Sequence, residues 1–308
     1  MENTAKNFAL QLGSLISLYV SIGSLISLLF GVITILHPDP AQYAWEAESA
    51  AMGIRTSIAM LVVFFPTYII LTRLVNTIRR TEKGGTYLTL TRWLIYISLL
   101  IGGGVLLGDL VTVLLGFLNG ELTVRLVLKA ITVFVVVGSA FIYYVLDARG
   151  YWQANEKKSI QYALIASLLV IVSLVVGFTH TETPSEVRER NIDVQQISDL
   201  QGIQSHIEMY YQMNNRLPEE LEEAYNGLEV PTVSEGREEY DYLKTSETNF
   251  KLCAQFALPS SKSDAMQYAQ PIIMEPSMIK NPYSWEHKAG DWCFERSFNA
   301  SVPVVPVK

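Results

Sequence analysis

Only two cysteines, Cys253 and Cys293, and four histidines occur in 308 residues. That scarcity excludes a disulfide-dense scaffold and a multi-cysteine metal cluster. His37, His180, His206 and His287 also lack the i, i+3 or i, i+4 spacing that puts two ligands on one helix face, so no metal is expected. Charge is scarce as well: 17% of residues are charged, against about 25% in ordinary soluble domains. Nor is there a cationic excess, since the net charge is −7, and nucleic acid, whose phosphates need basic patches, is excluded as a partner. G-x-S-x-G, H-E-x-x-H, P-loop and C-x-x-C motifs are absent. "GGGVLLG", from Gly102, lies in an apolar run and not at a strand-to-helix turn that could cradle phosphate. The acidic "EELEEAYNGLE" has no calcium-loop spacing and reads as a solvated face. These absences point away from an enzyme and imply no cofactor.

What the sequence has is apolar length. A bilayer core needs about 20 apolar residues per helix, and five runs qualify: Phe8 to Leu36, Ile58 to Val75, Trp93 to Leu118, Leu126 to Leu146 and Ile160 to Phe178. The first has no small-residue cleavage site and reads as a retained anchor. Cations follow the positive-inside rule. Arg73, Arg79, Arg80, Lys83 and Arg92 join spans two and three, and Arg149, Lys157 and Lys158 join spans four and five, so both connections are expected in the cytoplasm. Asp39, Glu46 and Glu48 follow span one and are expected outside. A cytoplasmic N-terminus and five spans then place everything beyond Thr179 outside. Tyr87, Trp93, Tyr96, Tyr143, Tyr144, Tyr151 and Trp152 would form an inner aromatic belt.

The charge divides accordingly. Through His180 there are 12 Lys and Arg against 9 Asp and Glu, and from Thr181 onward 11 against 21. Both cysteines fall in the acidic part, where an oxidising compartment permits a disulfide. Two unpaired buried thiols are the alternative.

Polar positions inside the spans need explanation. Gly13, Ser17, Ser21, Ser24, Ser27 and Gly31 recur at helical spacing in span one and form a small-residue stripe suited to close helix packing. Pro66 deprives the Val62 carbonyl of its partner and predicts a kink. Asp109 lies well inside span three, where an isolated charge is costly. With the following turn centred near Asn119 and Gly120, Lys129 is level with it, and an Asp109–Lys129 intramembrane ion pair is expected. Arg125 is the second candidate. The pair reads first as structural, with an ion or substrate path as the alternative.

Beyond span five, Thr183, Pro184 and Glu186 form an N-cap, an N1 proline and a capping-box acid, so a new helix starts there. Ile192, Ile197, Leu200, Ile203, Ile207, Tyr210 and Tyr211 share one face of it. "EYDYLKTSETNFKLCAQF" alternates as a hairpin, with Cys253 facing away from Phe250, Leu252, Ala254 and Phe256. "WEHKAGDWCFERSF" supplies a last strand, and the "VPVVPVK" tail reads as extended.

Two resemblances cover most of the chain. "FALQLGSLISLYVSIGSLISLLFGVI", "SIAMLVVFFPTYIILTRLVN", "LIYISLLIGGGVLLGDLVTVL" and "YYVLDARGYW" resemble the bacterial membrane family called domain of unknown function 5671, over about Phe8 to Trp152. That resemblance implies no activity. "ISDLQGIQSHIEMYYQMNNRLPEEL", "YDYLKTSETNFKLCAQF" and "WEHKAGDWCF" are similar to the globular parts of pilin-like and pseudopilin-like proteins. No G-F-T-L-x-E processing motif precedes span five, which argues against assembly into a filament. The expected architecture is an all-α membrane bundle of five transmembrane helices with a small extracytoplasmic α+β domain, a long helix on an antiparallel sheet. Its parts are a four-span domain (1–152), the fifth span (153–181) and the outer domain (182–308). The expected partners are the lipid bilayer and envelope proteins or a second copy, and the expected role is a multi-pass cell-envelope protein displaying a pilin-like head. The alternative is a transporter or signal-transmitting receptor using Asp109 and Lys129.

Overall fold

A computed structural model describes residues 2–38, 45–81, 86–120, 123–260 and 284–298. The expected tail from Val302, most of the irregular stretch before Tyr283, and Asp39 and Lys83 lie outside the described residues. The chain divides into two compact units, Met1–Thr181 and Glu182–Lys308.

The first unit is helical: α1 (Glu2–Leu36), α2 (Trp45–Thr81), α3 (Thr86–Leu118), α4 (Val124–Ala148), the single turn α5 (Tyr151–Ala154) and α6 (Glu156–Thr179). Among the described residues, five helices, opening at Lys6, Glu46, Arg92, Val124 and Glu156, are long and apolar enough to cross a membrane. α2 outruns its apolar segment at both ends because Glu46 and Glu48 sit in its first turn and Arg79 and Arg80 in its last, each complementing the helix dipole. It continues through Pro66. α4 starts where the Thr123 side chain accepts the Leu126 N–H, and it is separated from α5 by Gly150, whose φ of 74° favours glycine.

Leu28, Ile54 and Leu61 are fully buried between α1 and α2. The tightest approach is at Gly31: a Cβ there would lie 2.5 Å from Ile54 Cγ1 and 3.1 Å from the Ala50 carbonyl oxygen. Gly31→Ala is therefore expected to destabilise the helical unit by about 1–3 kcal/mol through overpacking. Thermal unfolding of the full-length protein in detergent reads this, and Ile54→Ala on the same background recovers part of the loss. An unchanged melting temperature for Gly31→Ala alone would remove the contact as a constraint.

The second unit contains α7 (Pro184–Asn214), α8 (Leu221–Tyr225) and the strands β1 (Asp241–Lys244), β2 (Asn249–Phe256) and β3 (Gly290–Ser297). The capping box forms as its residues predict: Thr183 accepts from the Glu186 N–H while the Glu186 carboxylate takes the Thr183 N–H. α7 ends at Asn215, which adopts the left-handed conformation with φ 53°. The sheet is antiparallel in the order β1-β2-β3. Alternation decides its buried face: Phe250, Leu252, Ala254 and Phe256 of β2 and Phe294 of β3 pack with Ile197, Leu200, Ile203 and Ile207 of α7. Ile192 remains outside that core. Leu217, fully buried, and α8 join it.

Register places Cys253 directly opposite Cys293, and the two form a disulfide with Cα atoms 4.0 Å apart. The bond lies on the sheet face away from the core, as the alternation in β2 requires. Closing a loop with a sequence separation of 40 restrains the unfolded chain by about 4 kcal/mol on the chain-entropy model.

Candidate functional site

Polar side chains in the helical unit gather at its two ends. At the end carrying the C-terminus of α2, Arg79 donates through one nitrogen to both Asp147 oxygens, at 3.0 and 2.8 Å. Both side chains are almost enclosed, 10% and 6% exposed. Arg80 pairs with Glu156 at 2.7 Å and reaches the Trp152 carbonyl. Lys158 donates to the Tyr151 hydroxyl at 2.8 Å.

The aromatic side chains here depart from the expected belt. Tyr143, Tyr144 and Trp152 are core residues. The Tyr143 ring stacks on Trp152 at 4.9 Å and lies 5.1 Å from Tyr162, while the Trp152 indole N–H donates to the Tyr143 carbonyl at 2.9 Å. Gly150 turns the chain back after α4, which folds Trp152 under its own helix and supplies the indole partner that burial demands. Trp93 and Tyr96 do face outward, 65% and 55% exposed.

Beside this cluster a cleft opens between α2, α4 and α6. Arg73, Asn76, Tyr143 and Ser159 line its polar part, and the Tyr143 hydroxyl is within hydrogen-bonding reach of Asn76 and Ser159. Ile69, Ala163 and Ala166 line its apolar part.

At the opposite end, Arg125 is buried although charged. It donates to Glu46 at 2.7 and 3.2 Å and to the Thr34 hydroxyl at 3.1 Å, joining α4, α2 and α1. Lys129, one turn along, places its ammonium 5.4 Å from the centre of the Phe30 ring. Among the described residues neither Asp109 nor Lys129 belongs to an ion pair, so the structure does not bring the expected pair together. The reason is register. α3 ends at Leu118 and α4 begins at Val124, so their connection is centred near residue 121, beyond Gly120. Gly116 faces Leu126 and Gly102 faces Phe141, which puts Asp109 level with residues near 133, about one turn past Lys129.

The small-residue stripe of α1 is met in most of its positions. Ser17 and Ser21 are buried, Gly31 abuts α2, Gly13 would meet Leu71, and Ser24 is half-buried. Ser27 is exposed. At about 100° per residue it lies a quarter-turn from Leu28, which occupies the inner face instead. Ser14, beside the stripe, bonds Thr72 across the helix pair at 2.7 Å.

In the second unit the polar hub is Asp193, buried on α7. Its carboxylate accepts from Arg237 at 2.8 Å and from the backbone N–H groups of Ala257 and Leu258 at 3.0 and 2.9 Å. Arg237 also pairs with Glu189. His206 stacks on Tyr225 and His287 on Phe256. Among the described residues no group of three or more His, Cys, Asp or Glu could hold a metal ion. The hub escaped sequence reasoning because a lone aspartate on a polar-rich helix carries no periodic signal. Asp147 was more legible, as the one carboxylate of α4 at the level of the Arg79 and Arg80 cluster.

Two phenols tie β1 and its lead-in to the rest of the unit. Tyr240 donates to Asp199 at 2.7 Å, and Tyr242 to the Pro218 carbonyl at 2.9 Å. Burial, then the hydrogen bond to the Asp199 carboxylate, hold Tyr240 well above the usual phenol range. Burial, with Glu219 and Glu223 nearby, pushes Tyr242 up to about 12. A raised phenol favours the neutral form in the folded state. Its contribution is therefore complete below about pH 10, the unfolded value, and is lost as pH rises toward 12. Hydrogen exchange in β1 and β2 is expected to accelerate over that window, and the Tyr240→Phe, Tyr242→Phe protein to lose most of that pH dependence. Equal acceleration in both proteins would assign the effect elsewhere.

No curated protein and no solved structure matches the chain. A family model does match, over residues 7–144, which hold α1 from its second turn, α2, α3 and all but the last turn of α4: its description is Domain of unknown function (DUF5671).

Proposed function

We propose that this chain is a multi-pass membrane protein of the bacterial envelope that holds its acidic α+β unit outside the cytoplasm as a pilin-like head for binding or assembly with other envelope components. The observation that carries the reading is the Cys253–Cys293 disulfide, because such bonds persist in oxidising compartments. It agrees with two features read independently of it. An odd number of apolar helices separates the N-terminus from the second unit, and the cations gather at the end of the helical unit that holds Arg79, Arg80, Lys157 and Lys158. A binding role and not a catalytic one is supported by the lack of catalytic motifs in the sequence. The capped α7 packed on a three-stranded sheet supports the pilin-like comparison. Met209 and Met213, one turn apart on α7, are 55% and 70% exposed and offer a contact face.

Protease added to spheroplasts tests the orientation: residues beyond Thr181 are digested while the helical unit is protected. Protection of the second unit until the membrane is permeabilised would reverse the assignment. Photo-crosslinkers placed at Met209 and Met213 in living cells test the role. Discrete adducts at these sites and not at Glu235 support it, and equal yields at all three would remove α7 as the binding face.

A further inference from the structure

The cleft between α2, α4 and α6 combines a polar and an apolar stretch of wall, and among the described residues Arg73 is its one cation. Three cations at that end of the helical unit are engaged: Arg79 by Asp147, Arg80 by Glu156, and Lys158 by the Tyr151 hydroxyl. Arg73, which lines the cleft, and Lys157, in the first turn of α6, belong to no ion pair among the described residues. Arg73 lies eight residues before the end of α2, about 12 Å at 1.5 Å per residue, and its side chain is exposed.

Composition changes along the cleft in one direction. α2 and α6 run antiparallel here, since Arg80 near the end of α2 pairs with Glu156 at the start of α6. Moving inward from that end, α2 presents Asn76, Arg73 and then Ile69, while α6 presents Ser159 and then Ala163 and Ala166. The outer part thus supplies a guanidinium, an amide and a hydroxyl. The inner part is mostly apolar, with the small Ala163 and Ala166 one turn apart, and Tyr68, Thr72 and Tyr162 share its lining.

We propose that this cleft binds an anionic glycerophospholipid, with the phosphate held by Arg73, Asn76 and Ser159 and an acyl chain laid along Ile69, Ala163 and Ala166. The inference rests on the membrane reading, because only a molecule entering from the bilayer is presented to the cleft with its headgroup at the helix ends and its chain pointing inward. A free anion would satisfy Arg73 but leave the mostly apolar inner part uncovered. Lys157 adds a second positive charge near the headgroup and favours an anionic lipid over a zwitterionic one.

The full-length protein in nanodiscs tests this. Phosphatidylglycerol and phosphatidylcholine are compared by native mass spectrometry after release, and inorganic phosphate is the competitor. Wild type is expected to retain phosphatidylglycerol preferentially, Arg73→Gln to lower its retention about tenfold or more, as loss of a charge-assisted hydrogen bond implies, and Ala163→Phe to abolish it by filling the inner part. Lys157→Gln, on the surface and independent of folding, is expected to narrow the preference between the two lipids. Equal retention of the two lipids by wild type, or displacement by millimolar phosphate, would overturn the lipid site. A chain that does not enter nanodiscs at all would instead sink the membrane reading, so the two failures are distinguishable.

Discussion

Asp147→Asn is expected to destabilise the helical unit by about 3–5 kcal/mol, the cost of leaving one member of a buried ion pair without the other. Arg79 is 10% exposed and directs one nitrogen to both carboxylate oxygens, so the substitution leaves an almost enclosed guanidinium without its counter-charge. Chemical unfolding of the full-length protein in detergent reads the loss. The double variant Arg79→Met, Asp147→Leu is expected to recover most of it, since replacing both charges removes the desolvation cost together with the attraction. If the double variant is as unstable as the sum of the single ones, the pair is not the source. Arg125→Met at the other end is expected to cost less, because its partner Glu46 keeps 28% of its side chain in contact with solvent. The difference matters for the adjacent cleft: the Arg79–Asp147 pair sits where α2 and α4 approach, beside Tyr143, and fixes the distance between two of the cleft's three walls.

Most of the elements were legible in the sequence because their signals are local. Apolar runs end where charge begins, the Thr183, Pro184 and Glu186 trio has one low-energy arrangement, and alternation in β2 decides which way Cys253 points. Relations between helices were less legible. Hydropathy gives the depth of a residue in a span but not its rotation, because a helix apolar all round has no preferred face. Asp109 shows the cost: shifting the centre of the α3–α4 connection by about one residue moves the level partner by two, and the true connection lies far enough on to exchange Lys129 for residues near 133. Lys129 turns instead to Phe30 of α1. Ser27 shows the complementary limit, since steps of three and four keep a stripe together only until their accumulated angle leaves the face. Partners far apart in sequence, such as Asp193 and Arg237, have no local signature at all.

That distant pairing leads to the second large effect. Asp193→Ala is expected to cost the α+β unit about 3–5 kcal/mol, by a different route from Asp147. Each buried N–H left without an acceptor costs about 1–3 kcal/mol, and here Ala257 and Leu258 lose theirs together while Arg237 keeps only Glu189. Asp193→Asn keeps one acceptor oxygen but turns an amide donor toward other donors, so its cost is expected to be intermediate. Hydrogen exchange separates this mechanism from simple loss of packing. Protection should fall first at Ala257 and Leu258, where β2 ends, and only then along α7, whereas a packing defect would loosen Ile197 and Leu200 at the same time. A loss below about 1 kcal/mol would mean that water reaches these groups and that the end of β2 is held by the neighbouring strands alone. The predicted order follows from position: the carboxylate stands where the helix meets the end of the central strand, and it holds the backbone at the point where alternation along β2 stops.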